Sequence, residues 1–465
     1  MSQATLAAAP PTAAPAVDRK AMARAAMLDG PILATLLRLA LPTISVLIAQ
    51  TAVNVAEGYY VGLLGTDALA GVALVFPVYM LMMMMSGGGL GSGVASSVAR
   101  AIGGGRQHDA DALVLHAIVL AVVVGAAFTF ATIQGGPWLY RTLGGRDGAL
   151  EAALLYSNWI FAGSIAIWVV NLLSAALRGS GNVKVPALVT LGGALVLIPA
   201  SPALIFGFGP IPRMGIAGGG LAFALYFGGA SLVLLHYMAS GRSGLALRWA
   251  PLEWRLFADI LKVGLPTALS TVLTNLTVIL VTGAVGLFGT HALAGYGIAS
   301  RLDYLLIPVL FGLSSAVLTM VGVNIGAGRR PRAREIAWTG GLVGAAFTGA
   351  IGLVIALWPG LWLNLFTDEA DVLAPATAYL SIVAPFYAFF GLGFVVSFAG
   401  QGAGHMLWPF LGVTGRLAIA AGLGWVAVSV FGADIATLAS IVAGSFVVYA
   451  ALCCVVMVSK TVWAR

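Results

Sequence analysis

The sequence predicts an all-α integral membrane protein: twelve transmembrane helices in two six-helix lobes, related by pseudo-two-fold symmetry along the membrane normal. Three observations carry this. Of 465 residues, 60% are hydrophobic and only 8% are charged, with a mean hydropathy of +1.02. A soluble domain carries about 25% charged residues, so a soluble enzyme is excluded. Twelve stretches reach the about 20 apolar residues that cross a bilayer. Finally, the chain repeats itself: Gly62-Leu63-Leu64-Gly65-Thr66-Asp67-Ala68-Leu69-Ala70-Gly71 returns 224 residues later as Gly286-Leu287-Phe288-Gly289-Thr290-His291-Ala292-Leu293-Ala294-Gly295, identical at eight of ten positions. Leu41-Pro42-Thr43 returns as Leu265-Pro266-Thr267, Ile102-Gly103-Gly104-Gly105-Arg106 as Ile325-Gly326-Ala327-Gly328-Arg329, and Gly181…Pro186 as Gly404…Pro409. Anchors that keep register across half a chain mean duplication, a hallmark of secondary transporters.

Residues 1–30 are Ala/Pro-rich and hold Arg19, Lys20 and Arg24 without a continuous apolar core. They do not form a secretory signal and read as a disordered cytoplasmic tail, with room for a short interfacial helix ahead of Pro31. The spans fall near 33–61, 67–97, 111–133, 150–177, 185–207 and 216–239 in an N-lobe of residues 31–239. They continue near 257–285, 291–323, 335–358, 372–399, 407–430 and 435–458 in a C-lobe of residues 257–465. Residues 240–256, with Trp249, Trp254 and several arginines, form a linker suited to a strand or helix at the cytoplasmic interface.

Basic residues set the orientation. With the N-terminus inside, eighteen Lys and Arg fall on the cytoplasmic side, against only Arg141, Arg146 and Arg213 outside. Positive charge stays inside, which places both termini in the cytoplasm of a cell whose plasma (inner) membrane the chain crosses. Six spans per half return the chain to its starting side, so the halves share one orientation. The two cysteines, Cys453 and Cys454, are neighbours in an apolar run and read as packing residues.

Glu57 lies deep in the first span, where an ionised carboxylate is costly unless paired or hydrated. Gln50, Asn54 and Glu57 fall at i, i+4 and i+7 and share one helical face. The functional reading is a proton- or cation-linked switch; the alternative is a Glu hydrogen-bonded between helices for packing alone. Glu57 corresponds to Val281 in the second half, so the lobes are chemically unequal. In the seventh span Ser270, Thr274 and Thr277 share a face and Thr271 stacks with Asn275, fitting either helix packing or ligand contact. Arg301 and Asp303 lie inside the eighth span; two residues apart, they project to different sides and read as a cavity or gating cluster, or as structural charges paired elsewhere.

The run Gly87-Gly88-Gly89-Leu90-Gly91-Ser92-Gly93 lacks the Lys-Ser/Thr of a phosphate loop and marks close helix approach or local unwinding in a span that flexes. His116 has no second ligand at metal spacing, and packing is its expected role. Motifs of hydrolytic chemistry are lacking. No cofactor, metal or nucleic acid is expected.

The opening Gly30-Pro31…Leu37-Arg38-Leu39-Ala40-Leu41-Pro42, the Val61–Ala70 turn, Leu177-Arg178-Gly179-Ser180-Gly181 and Val323-Asn324-Ile325-Gly326-Ala327-Gly328-Arg329 together resemble multidrug and toxic compound extrusion (MATE) transporters over about residues 31–460. The Gly-Pro opening and Arg301-Leu302-Asp303 are more similar to the DinF-like branch than to the NorM-like one. The resemblance implies a cleft between two bundles and export of drugs, often cationic, in exchange for protons or sodium. It also implies an Asp where this chain has Glu57. The DinF-like fifth span carries an Asn and an Asp where Leu197 and Ser201 stand, and the NorM-like acid of the seventh span corresponds to Thr274.

With those ligands missing, the expected function is proton-coupled export of amphipathic organic compounds by a chain sufficient as a monomer. Glu57, Asn54 and Gln50 would couple the ion (H+, with Na+ as the alternative); Asn275, Thr274, Arg301 and Asp303 would bind substrate or gate. The alternatives are a sodium-coupled antiporter, a flippase for lipid-linked precursors, which needs a cationic cavity, and a sensor or enzyme that moves no solute.

Overall fold

In the computed structural model, which describes residues 19–458, the expected spans are helices. The N-lobe contains span 1 (Ile32–Gly62), span 2 (Thr66–Gly103), span 3 (Gln107–Thr142), span 5 (Lys184–Phe206) and span 6 (Ile216–Ala239). Span 4 is a pair, Asp147–Ala162 and Ser164–Gly179, bent by 48° at Gly163. The C-lobe contains span 7 (Trp254–Gly286), span 8 (Thr290–Gly326), span 9 (Arg330–Leu357), span 10 (Ala370–Ala403), span 11 (Leu407–Ser429) and span 12 (Ile435–Val458). The helix foreseen ahead of Pro31 forms over Arg19–Asp29; the rest of the expected disordered tail, 1–18, lies outside the described residues. The linker departs from expectation: from Gly241 to Glu253 it is irregular, neither strand nor helix. His116 holds it, its Nε2 accepting from the Glu253 amide at 2.9 Å while its Nδ1 faces the Ala112 carbonyl at 2.8 Å.

The repeat is visible in the backbone. The turn glycines recur as pairs of nearly equal positive φ: Gly65 and Gly289 at 112° and 101°, Gly105 and Gly328 at 72° and 74°, Gly181 and Gly404 at 83° and 77°. A side chain in that region is strained, which is why glycine stands in both copies.

Contacts between the lobes obey the same symmetry. A Cβ on Gly89 of span 2 would lie 2.9 Å from Ala268 of span 7, and a Cβ on Gly312 of span 8 would lie 2.4 Å from Ile44 of span 1. Each residue of the second pair is its counterpart in the other half. Further along, a Cβ on Gly103 would lie 2.0 Å from the Val323 carbonyl, and one on Gly326 would lie 2.1 Å from the Arg100 carbonyl. Small residues let backbones touch where lipid offers no hydrophobic drive.

These contacts cluster at the arginine-rich end of the bundle. Residues Gly89–Ala99 and Gly312–Asn324 are buried without interruption, whereas the far halves of spans 2 and 8 alternate between buried and exposed. The lobes are therefore sealed against each other at the arginine-rich end and covered on one side only at the other. Arg100 ties the seal: it donates to Asp259 of span 7 at 2.8 Å, to Ser97 at 3.2 Å and to Ser96.

Candidate functional site

Five spans of the N-lobe converge on Glu57. The acid is only 5% exposed. The Ser201 hydroxyl of span 5 donates to its Oε2 at 2.6 Å, while Oε1 is buried and has no hydrogen-bond partner among the described residues. Gly219 of span 6 makes room for that oxygen, since a Cβ there would lie 2.4 Å from Oε1 and 3.5 Å from the Tyr156 ring. Tyr156 of span 4 and Tyr79 of span 2 complete the pocket within electrostatic reach of the acid, and Tyr79 packs edge-on against Phe223 of span 6 at 5.8 Å. Span 5 carries Pro199 and Pro202 inside the helix. Each removes a backbone donor and loosens the ladder on either side of Ser201. A buried carboxyl oxygen with one free face and a small cavity-forming glycine can take a proton, or a ligand that brings its own donor.

Gln50 and Asn54 are half-buried, and no hydrogen bond joins them to Glu57. In span 7 the hydroxyls of Ser270, Thr271, Thr274 and Thr277 bond the carbonyls four residues back, so they are satisfied by their own helix. Asn275 is exposed; its amide donates to the Thr271 carbonyl at 2.9 Å and reaches the Met84 sulfur of span 2 at 3.7 Å. It thus stands where the lobes face each other. Beside it, span 2 unwinds into a π turn over Met85–Leu90, in the glycine run marked for flexing, and Asn171 of span 4 donates to Ser86 there at 2.8 Å.

Arg301 and Asp303 part as their spacing requires. Arg301 is exposed, its guanidinium 5.4 Å from the Phe366 ring centre, a cation–π contact. Asp303 turns into the C-lobe, where Tyr387 of span 10 and Arg416 of span 11 are its electrostatic neighbours. Arg416 lies over the Phe390 and Phe446 rings, 5.2 and 5.0 Å from their centres. Both partner helices lose regularity here: a 3₁₀ turn, Ala384–Phe386, precedes Tyr387, and a π stretch, Leu417–Leu423, follows Arg416. Such interruptions are frequent at hinges and functional sites. Among the described residues no three metal-ligating side chains gather.

Comparison with known proteins gives this geometry a family. The MatE family matches residues 42–203 and 266–426, one copy in each lobe. The chain belongs to the MatE family. Among curated proteins it is 26% identical over 383 residues to an FAD transporter of Shewanella oneidensis, covering 81% of this chain and 83% of that one. It is 27% identical over 381 residues to a probable multidrug resistance protein NorM of Thermotoga maritima, covering 81% of each. In fold it matches a transporter of the MOP superfamily from Pyrococcus furiosus (TM-score 0.84, 23% identity, 93% of this chain and 96% of that one). An outward-facing MATE-family multidrug transporter of the same superfamily gives 0.80 at 24% identity, over 92% and 95%.

This MatE chain is accordingly a multi-pass membrane transporter and not an enzyme. The sequence pointed to Glu57 but gave Ser201 only as the place of a lost ligand, whereas among the described residues Ser201 supplies the acid's one hydrogen bond. The signal was there: a hydroxyl between two prolines in an apolar helix. Gly219, Tyr79 and Tyr156 gave none, because a glycine and two aromatics in apolar spans look like ordinary packing. The place of Arg416 beside Asp303 depends on how three helices pack, which no local sequence pattern shows.

Proposed function

We propose that the chain is a proton-coupled antiporter that exports amphipathic, cationic organic compounds through alternating exposure of the cleft, working as a monomer in the plasma (inner) membrane with both termini cytoplasmic. The observation that carries it is Glu57: a buried acid with one hydroxyl donor, one unpartnered oxygen and a glycine-lined space beside it. Protonation from the outside would neutralise the buried carboxylate, alter the packing of span 1 and favour substrate release; loss of the proton to the cytoplasm would reset it. A hard metal cation asks for about six oxygen ligands, and this pocket offers the carboxyl group, Ser201 and two tyrosine hydroxyls, which favours the proton over sodium. In the same reading Asn275 and Thr274 line the substrate path, with Asp303 as a second acid within the C-lobe. The flippase alternative finds less support, since Arg301 and Arg416 each engage aromatic rings of the C-lobe and do not gather with each other into one cationic cluster.

The test is uptake of a fluorescent cationic dye into proteoliposomes under an imposed proton or sodium gradient, for wild type and Glu57→Gln. The expected result is flux driven by the proton gradient alone and lost in the variant, with the variant eluting as folded protein. Flux driven only by sodium, or unchanged in Glu57→Gln, overturns the proposal.

A further inference from the structure

The helix Arg19–Asp29, too short to cross a membrane, is built into both lobes at the sealed end through its described residues Arg24, Met27, Leu28 and Asp29. On the N-lobe side, Arg24 donates to the Gly103 carbonyl at the tip of span 2 at 2.8 Å. Met27, almost fully buried, packs into the turn between spans 4 and 5, where a Cβ on Gly181 would lie 2.9 Å from its methyl.

The C-lobe holds the other end. The last carbonyls of a helix have no partner within it, and here C-lobe side chains supply the partners. Asn324 of span 8 donates to the Met27 carbonyl and Arg329 to the Leu28 carbonyl, each at 3.0 Å. Arg329 also pairs with Asp29, and Arg332 donates to the Gly30 carbonyl. Two cations therefore sit at the negative end of the helix dipole, where they stabilise it. At the joint to span 1, Pro31 fixes its own φ and the Gly30 amide donates to the Ala26 carbonyl at 3.0 Å. A short rigid helix fastened to both lobes cannot follow both when they part.

We propose that Arg19–Asp29 is a strap across the sealed end, holding the lobes together there and setting how often that end opens. The proposal rests on the alternating-exposure reading above, and its test is separable from it. Spin labels at the exposed positions His108 of span 3 and Glu335 of span 9 report the separation of the lobes at the sealed end. Distances are measured in the full chain in lipid nanodiscs without substrate, for Arg24→Ala, Asn324→Ala and Met27→Asp.

Each loss of a charge-assisted or buried bond is expected to raise the long-distance population about tenfold, with Met27→Asp showing the largest change. Arg24 and Met27 lie outside the spans, so these variants keep the bundle intact even where Asn324→Ala does not. Distance distributions unchanged in both Arg24→Ala and Met27→Asp overturn the strap. If the distances shift while wild type moves no dye under any gradient, the strap stands and the transport proposal falls; if dye moves normally while the distances stay fixed, the strap alone falls.

Discussion

Glu57 holds its two oxygens in unequal settings, and its behaviour should follow from that. Ser201 is the single donor to Oε2, so Ser201→Ala leaves both oxygens bare in an apolar pocket. A hydrogen bond to a charged group contributes about 1.5–3 kcal/mol, so proton-driven flux is expected to fall roughly tenfold or more. Ser201→Thr, which keeps the hydroxyl, should restore most of it; equal flux in wild type and Ser201→Ala would remove Ser201 from the site.

A second residue carries a pH prediction outside the membrane. His405, in the turn between spans 10 and 11, is held below its usual imidazole range by burial and by the positive charges of Lys262, Arg100 and Arg330. The folded protein thus binds this proton less readily than the unfolded chain. Its contribution is present above the ordinary histidine range near 6.5 and is lost as pH falls through it. Between pH 7 and pH 5 the wild-type melting temperature should drop further than that of His405→Gln; parallel curves would refute the assignment.

At the scale of the element, glycines separate tight from open helix surfaces. Nothing lies within 4 Å of a Cβ on Gly58 in span 1. Gly58→Ala should therefore keep flux and raise stability by up to about 1 kcal/mol. Gly219→Ala, by contrast, drives a methyl against Oε1 of Glu57 and should abolish proton-driven flux while the protein still folds. Comparable flux in the two variants would mean that Gly219 plays no part in housing the acid. The span pattern was legible because apolar length and loop charge are local properties of the chain. The C-lobe π stretch, the bend at Gly163 and the meeting of Asp303 with Arg416 were not, because each depends on how one helix meets its neighbours. Even so, the glycine run that overlaps the Met85–Leu90 π turn was a local sign of weakness, and it proved informative.

For the whole molecule, duplicated contacts and an unduplicated acid divide the labour. The paired glycine contacts give both lobes the same hinge surface, while the counterpart of Glu57 is Val281, itself buried in apolar surroundings, so only one lobe has an acid here. Asn275 lies seven residues beyond Ala268, about 10 Å along span 7, on the open side of the Gly89–Ala268 contact. A cysteine at position 275, in a chain whose native Cys453 and Cys454 are replaced by alanine, should react with a membrane-impermeant maleimide added at the open end and resist the same reagent added at the arginine-rich end. Loosening the seal by Gly103→Leu, whose side chain would strike the Val323 carbonyl, should make the arginine-rich side reactive. Labelling from that side in the background without Gly103→Leu would place the seal elsewhere and undo the link between the symmetric glycine contacts and closure. Labelling from the open side alone ties the exposure of the cleft to those contacts; in the proposed mechanism Glu57 is then the chemical asymmetry that gives a symmetric hinge its direction.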